Sequence, residues 1–249
     1  MLDNPAKARL LESLKTEVHV WYCSPDVIRG EDKLSAYISV LSADELERYH
    51  RFHFDKDRQN YLVTHVLLRS ALSNYVDVTA SQWQFIDGDK GKPGLVQQAG
   101  LPNFDFNITH TDGLSACVIA LNRLVGIDAE CVKRQNKVAA IAQRMFAEQE
   151  LANLKASENS QQVFYYYWTL REAYVKALGT GLAGSSKDYY FDLALNGKNA
   201  VIRNATSQQE EIKGWDFRLY QPTAEHVLSV AFESSPSVLV RMFESIPSV

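Results

Sequence analysis

Cysteine is scarce in this chain: Cys23, Cys117 and Cys131 are the only three in 249 residues, and no two of them stand in a C-x-x-C spacing. An odd, scattered set argues against a disulfide framework or a zinc knuckle and reads as buried thiols. Long hydrophobic runs are missing too. No window approaches the ~20 apolar residues needed to span a bilayer, and the opening MLDNPAKARLLESLK lacks a secretory apolar core, so a soluble, cytoplasmic protein with no membrane partner is expected. A basic excess is also absent. The 26 Lys and Arg against 30 Asp and Glu leave a net charge of −4, which removes the global electrostatic reason to bind nucleic acid. The sequence also has no P-loop or dinucleotide fingerprint. Its Gly179-Thr180-Gly181 ends a helical pattern, whereas phosphate-cradling loops open one. A Ser-His-Asp or Cys-His nucleophilic set in convincing context is missing as well.

What is present belongs to a folded globular protein. A 46% hydrophobic fraction, 22% charged residues and four Trp exclude a disordered chain, and the length allows one large domain or two of ordinary size. Pro5 after Asp3-Asn4, with Ala8, Leu11 and Leu14 following, predicts a short opening helix. Val18 to Cys23 reads as a first strand. Ser42 with Glu45 three residues on forms a capping-box pattern opening a helix through Phe52. A further helix from about Asp55 to Tyr75 places Leu62, Val66, Leu67 and Ala71 on one face, and DGDKGKPG from Asp87 to Gly94 is turn-rich. The apolar runs Leu114–Leu121 and Leu124–Ile127, parted by Asn122-Arg123, predict a hairpin or a crossover between domains. Helices over Val138–Leu154 and Gln161–Leu178 follow, then strand patterns at Tyr189–Leu193, Trp215–Tyr220 and Val227–Phe232. LSACVIA from Leu114 and LSVAF from Leu228 form a short internal echo. The expected fold is therefore α+β, two similar halves of residues 1–122 and 123–249, each a small, mainly antiparallel sheet packed with helices.

Three groups of residues could carry chemistry. In Phe164 to Leu182, Trp168, Glu172 and Lys176 recur at helical spacing before the glycines at 179 and 181, so an aromatic plate, a carboxylate and an amine share a face. They read either as the wall of a cleft or as an ordinary Glu-Lys pair on a solvated face. Asp128 and Glu130 in VGIDAE point to one side if the strand continues. Two carboxylates so close repel unless a cation or shared proton intervenes, and Mg²⁺ commonly takes one or two carboxylates together with substrate phosphates. The bland alternative is an exposed strand end. His110, between Thr109 and Thr111, is either a hydrogen-bonded structural residue or, with Lys92 of the GKP turn, part of a phosphate site.

Taken in order, FNITHT, VGIDAE and WTLREAYVKALGTGL resemble the signature motifs of the Sfp-type 4'-phosphopantetheinyl transferases, with weaker likeness at GKP and at Arg51 to Arg58. The resemblance spans about Phe104 to Leu182. It implies a single-chain pseudo-dimer, expected to act as a monomer, with coenzyme A as co-substrate in the cleft between its halves. It also implies transfer of phosphopantetheine to a serine of an apo acyl, polyketide or peptidyl carrier protein, with release of adenosine 3',5'-bisphosphate. The nucleophile then belongs to the partner. By the same resemblance Asp128, Glu130 and Glu172 hold Mg²⁺, Lys176 attends the phosphates and leaving group, and Glu150 of MFAEQELANL receives the serine proton. Glu148 competes for that last position. Thr109, His110 and Lys92 fall to the 3'-phosphate, with Arg48 and Lys56 as further cations. Three positions depart from the family pattern: Thr111 replaces a serine, Ala129 replaces a larger apolar residue between the carboxylates, and Arg171 replaces a lysine. Lys133, Arg134, Lys137 and Arg144 form a stretch free of acidic residues, read either as a docking surface for an acidic carrier or as a solvated helix start. Two other functions compete: a different Mg²⁺-dependent phosphoryl or nucleotidyl transferase, and a non-catalytic module binding coenzyme A or a carrier.

Overall fold

A computed structural model describes residues 4–88, 91–133, 138–181, 187–193, 198–205 and 210–249. The fold is α+β and forms two compact units. The first comprises Met1–Asp89, Pro93–Arg123 and Ser237–Val249, and the second Lys90–Lys92 and Leu124–Pro236. Among the described residues no helix is long and apolar enough to cross a membrane.

In the first unit, α1 (Asn4–Ser13) leads into β1 (Glu17–Cys23), followed by α2 (Glu31–Ile38), α3 (Ala43–Arg51) and α4 (Asp55–Leu72). A two-strand ladder, β2 (Phe85–Asp87) with β3 (Pro93–Leu95), precedes the hairpin of β4 (Phe104–Thr111) and β5 (Leu114–Leu121). That hairpin closes tightly because Gly113, at φ +83°, takes the left-handed conformation a two-residue turn requires. The polar run FNITHT is thus a strand, which its hydroxyl-rich composition hides. The apolar side chains of α4 pack on the sheet through Leu62, Val66 and Leu67, with Cys117 and Ile119 beneath. α3 starts with the expected capping box: Ser42 Oγ accepts from Glu45 N at 3.2 Å and Glu45 Oε2 from Ser42 N at 2.8 Å.

The second unit runs β6 (Val125–Cys131), α5 (Val138–Met145), α6 (Glu148–Ala156), α7 (Ser160–Leu178), β7 (Tyr189–Leu193), β8 (Asn199–Asn204), β9 (Trp215–Thr223) and β10 (His226–Glu233). Its strands lie in the order β6-β10-β9-β8-β7. Of the two readings of Asn122-Arg123, the hairpin is excluded, since β5 and β6 lie in different sheets. Asn122 leaves β5 in a left-handed turn at φ 52°, a conformation asparagine tolerates better than most residues. The single helix predicted over Val138–Leu154 is two. Ala147 is extended at ψ 164°, Phe146 beside it is fully buried, and Glu150 Oε2 accepts from Ala147 N at 3.1 Å to start a new helix. A last strand, β11 (Leu239–Glu244), pairs in parallel with β1 and completes the first sheet in the order β11-β1-β5-β4.

The two units share a plan. In each, a central strand (β5, β10) lies between two antiparallel neighbours (β1 and β4, β6 and β9), and the longest helix of the unit packs on it. The echo of LSACVIA and LSVAF falls within those central strands, from the first residue of β5 and the third of β10. Register makes the correspondence specific: Ser115 on β5 faces Cys23 of β1, and Ser229 on β10 faces Asp128 of β6.

Within the first unit, burial alone would raise the Glu45 carboxyl. The hydrogen bond from His65, the Arg69 guanidinium and the Ser42 N–H outweigh it and hold the group at about 2. A carboxyl depressed on folding stabilises above its unfolded value of 4.5, and that contribution is lost as pH falls through about 2. Glu45→Gln should therefore lower the thermal midpoint at neutral pH, with a deficit that shrinks on acidification between 4.5 and 2; melts followed by circular dichroism check this.

Candidate functional site

Strand alternation places Gly126, Asp128 and Glu130 on one face of β6, the face against which α7 packs. The approach is close. A Cβ on Gly126 would stand 2.1 Å from Ala173 O and 2.4 Å from Ala177 N, so only glycine lets the strand lie against the helix backbone. Glu172 and Lys176, one turn apart on α7, fall on the same contact. Lys176 Nζ donates to Asp128 Oδ1 at 2.6 Å and to Ile127 O at 3.2 Å. The ion pair of this lysine is therefore with the strand carboxylate, whereas the sequence offered Glu172 as its neighbour. Asp128 is buried, and its Oδ2 and Glu130 Oε2 are both buried atoms. Burial pushes the Glu172 carboxyl up and the charge of Asp128 pushes it further, with Lys176 only partly offsetting them. The face thus gathers hard oxygen donors with more negative charge than one ammonium balances.

Such donors suit Mg²⁺. Among the described residues no group of three or more His, Cys, Asp and Glu side chains is placed to hold a metal ion. A divalent ion on this face would have to share its carboxylates with oxygens of a bound ligand.

α7 itself is well terminated. Asn159 Oδ1 accepts from Gln162 N at 3.1 Å at its start, and Gly179, at φ +62°, ends it in the left-handed conformation. Trp168 stacks on Phe164 with ring centroids 5.9 Å apart, so it also packs within the helix surface. Lys92 Nζ lies against the end of α7, donating to Ala177 O at 3.3 Å and to Val125 O at 3.0 Å, a favourable place for a cation.

Glu150 has a different setting. Its side chain has no exposed surface. Oε2 accepts from Arg171 Nη2 at 2.5 Å, Arg171 Nε at 3.1 Å and Ala147 N, and Oε1 accepts from Phe191 N at 3.0 Å. Burial raises the carboxyl although Arg171 works against it. Arg171 Nη2 also donates to Tyr189 O at 2.9 Å, so the pair ties α6, α7 and β7 together. A general base must reach the proton it takes, and the Glu150 carboxylate has no exposed surface from which to do so in this arrangement. Glu148 is exposed on the first turn of α6.

In the first unit, Thr109 is buried and His110 exposed, on opposite faces of β4. Lys56 pairs with Asp112 at 2.5 Å, which brings it to the turn beside His110. Arg48 lies over the Tyr61 ring, 5.8 Å from its centroid. Lys133 is exposed and pairs with Glu225 at 2.5 Å, and Arg144 is exposed at the end of α5; Arg134 and Lys137 lie outside the described residues. Sequence reasoning missed Thr169 and Ser229, which meet at 2.7 Å in the core of the second unit. The WT pair in the α7 motif and the LS echo were the only signals for them.

Gly126→Ala should cost about 3 kcal/mol, the upper end for overpacking, because the obstruction is helix backbone and not a side-chain tip. Urea unfolding measures it, and a loss under 1 kcal/mol would show that strand and helix separate readily.

The family model described as the 4'-phosphopantetheinyl transferase superfamily matches residues 124–231, and that for the N-terminal part of a 4'-phosphopantetheinyl transferase matches residues 29–122. The 4'-phosphopantetheinyl transferase HetI of Nostoc sp. is 34% identical over 175 residues, covering 70% of this chain and 73% of HetI. Sfp of Bacillus subtilis, another 4'-phosphopantetheinyl transferase, is 29% identical over 156 residues, covering 62% of this chain and 67% of Sfp. Among solved structures, the holo-[acyl-carrier-protein] synthase of Thermotoga maritima is similar at a TM-score of 0.36 and 26% identity, over 45% of this chain and 63% of that one. With two family models matching either side of residue 123 and a relative at that identity and coverage, the chain belongs to the 4'-phosphopantetheinyl transferase superfamily.

Proposed function

We propose that this chain, a phosphopantetheinyl transferase, moves 4'-phosphopantetheine from coenzyme A to a serine hydroxyl of an apo carrier protein, and that the reacting pyrophosphate lies on the β6–α7 face. The observation that carries this reading is the convergence of Asp128, Glu172 and Lys176, with Lys176 Nζ 2.6 Å from Asp128 and the Asp128 charge acting on Glu172. Asp128, Glu130 and Glu172 would hold Mg²⁺, which when bound offsets charge on the pyrophosphate oxygens and orients them. Lys176 supplies a fixed positive charge to the leaving phosphate, where a preorganised donor acts more strongly than in water. Its hold on Asp128 and Ile127 O keeps the ammonium in place before substrate arrives.

Glu150 is assigned to fixing Arg171, not to proton transfer, on the strength of its enclosure. The serine proton goes instead to a carboxylate oxygen that the cation leaves open, on the half-buried Glu130. His110 is assigned to the 3'-phosphate together with Thr109, whose buried side chain on the other strand face leaves its backbone as the contacting group, and with Lys56 and Arg48 as added cations. Lys92 is the remaining cation of that assignment; its ammonium donates to Ala177 O and Val125 O. For the carrier, Lys133, Arg134, Lys137 and Arg144 are the proposed contacts. Lys133 contributes less than its charge implies, because Glu225 already engages it.

Transfer of a fluorescent pantetheine from labelled coenzyme A to an apo carrier separates these roles. Glu172→Gln, Asp128→Asn and removal of divalent cations by chelation should each slow transfer about 100-fold or more with the fold intact. Glu150→Gln should lower the thermal midpoint by about 4–8 °C or more while the folded enzyme keeps its rate within about threefold. Unchanged transfer by Glu172→Gln would remove the β6–α7 face as the site. A slow but fully stable Glu150→Gln would restore Glu150 as the base.

A further inference from the structure

Each unit contains one buried hydroxyl pair joining its longest helix to its central strand. In the first, Thr64 Oγ1 and Ser115 Oγ are 3.0 Å apart; in the second, Thr169 Oγ1 and Ser229 Oγ are 2.7 Å apart. Both threonines also reach the carbonyl four residues back, Asn60 O at 2.6 Å and Tyr165 O at 2.8 Å. A hydroxyl has one proton, so with the Thr169 proton on Tyr165 O the serine is the donor in the Thr169–Ser229 bond; in the first unit Thr64 Oγ1 is the donor to Ser115 Oγ. All four side chains are buried.

Only the second pair stands next to charged residues. Ser229 is the register partner of Asp128, so their side chains leave the sheet from the same face. Thr169 precedes Glu172 by three residues and shares its helix face. On the far side of Glu172, Ala173 and Ala177 touch the strand at Gly126, two residues before Asp128. The helix is thus fixed to the sheet at two points that bracket Glu172, one a hydrogen bond of defined length and the other a backbone contact that admits no side chain. In the first unit the corresponding positions hold no charged set. Cys23 on one side and His110 on the other face Ser115, neither a carboxylate, and Leu67 and Ala71 stand where counting from the threonine puts Glu172 and Lys176.

We infer that Thr169 and Ser229 are positioning residues for the carboxylate set: their bond fixes the spacing between the strand that carries Asp128 and the helical turn that carries Glu172, and so sets the affinity for the divalent cation. This rests on the cation role proposed above. A threonine-to-valine change keeps the volume and removes the hydroxyl, leaving Ser229 buried without its acceptor. The first unit supplies the control, since Thr64→Val breaks the same kind of bond where no carboxylates depend on it.

Mn²⁺ affinity of the enzyme–coenzyme A complex, titrated by electron paramagnetic resonance alongside thermal midpoints, tests the inference. Thr169→Val and Ser229→Ala should each weaken Mn²⁺ binding about tenfold, equivalent to about 1.4 kcal/mol, and Thr169→Ser should retain wild-type affinity. Thr64→Val should lower the midpoint comparably and leave Mn²⁺ affinity unchanged. Should Thr169→Val and Ser229→Ala bind Mn²⁺ as the wild type does, or Thr64→Val weaken it equally, the bond is only structural and the inference is overturned. A wild-type complex that binds no Mn²⁺, or Asp128→Asn that binds it undiminished, would refute the cation role itself and the inference with it.

Discussion

The second unit depends on the direct contact between a strand and a helix backbone at Gly126. Because nothing but hydrogen projects from that residue, β6 and α7 approach until Ala173 and Ala177 touch the strand. Side chains on either side of the contact are then forced into one narrow region. Asp128 follows Gly126 on the strand, Glu172 and Lys176 flank Ala173 on the helix, and the 2.6 Å ion pair between Lys176 and Asp128 results. Other interactions hold this geometry from outside. Ser229 anchors the helix one turn earlier, the Arg171–Glu150 pair ties its opposite side to α6 and β7, and Gly179 ends it beside the Lys92 ammonium. A buried ion pair such as Arg171–Glu150 need not add net stability over apolar packing. Three backbone connections, to Ala147, Phe191 and Tyr189, give it a directional role that apolar packing lacks.

The two units solve the same packing problem with different chemistry. Each has a central strand, antiparallel neighbours and a long helix joined to the sheet by a threonine–serine bond. In the first unit the surface under the helix is apolar at Cys23, Leu67 and Ala71, which contributes burial without desolvating charge. In the second the same positions hold Asp128, Glu172 and Lys176. Enclosing those groups costs stability, and the raised Glu172 carboxyl is one sign of that cost. Local destabilisation on a shared scaffold is what a site for substrate charge requires, which supports placing the proposed pyrophosphate site on the second unit.

Much of this was legible in the sequence where a signal is local. The α3 capping box, the α7 periodicity with its glycine stop, and the alternation of Asp128 and Glu130 each follow from residue types at fixed spacing. What could not be read depends on distant partners. β4 is polar on its sequence, and only its pairing with β5 makes it a strand. β11 earns no strand assignment from VLVRMFE alone, because its partner β1 lies more than 200 residues earlier. The break between α5 and α6 arises from Glu150 turning back to cap Ala147 while it holds Arg171. That enclosure, with Arg171 as partner, is likewise not announced by the motif. Lys176 likewise had a neighbour at helical spacing in Glu172, yet tertiary contact gives it Asp128.

The most direct measurement is a mass balance on the transfer itself. An apo carrier protein incubated with the enzyme, coenzyme A and Mg²⁺ is weighed intact while the nucleotide products are separated by chromatography. The proposed activity predicts that the carrier gains one phosphopantetheine on a serine, that adenosine 3',5'-bisphosphate appears in equal amount, and that neither is seen when chelator is present. No mass gain on several unrelated apo carriers, or a gain that persists without divalent metal, would contradict the account of the β6–α7 face as a cation-dependent transfer site.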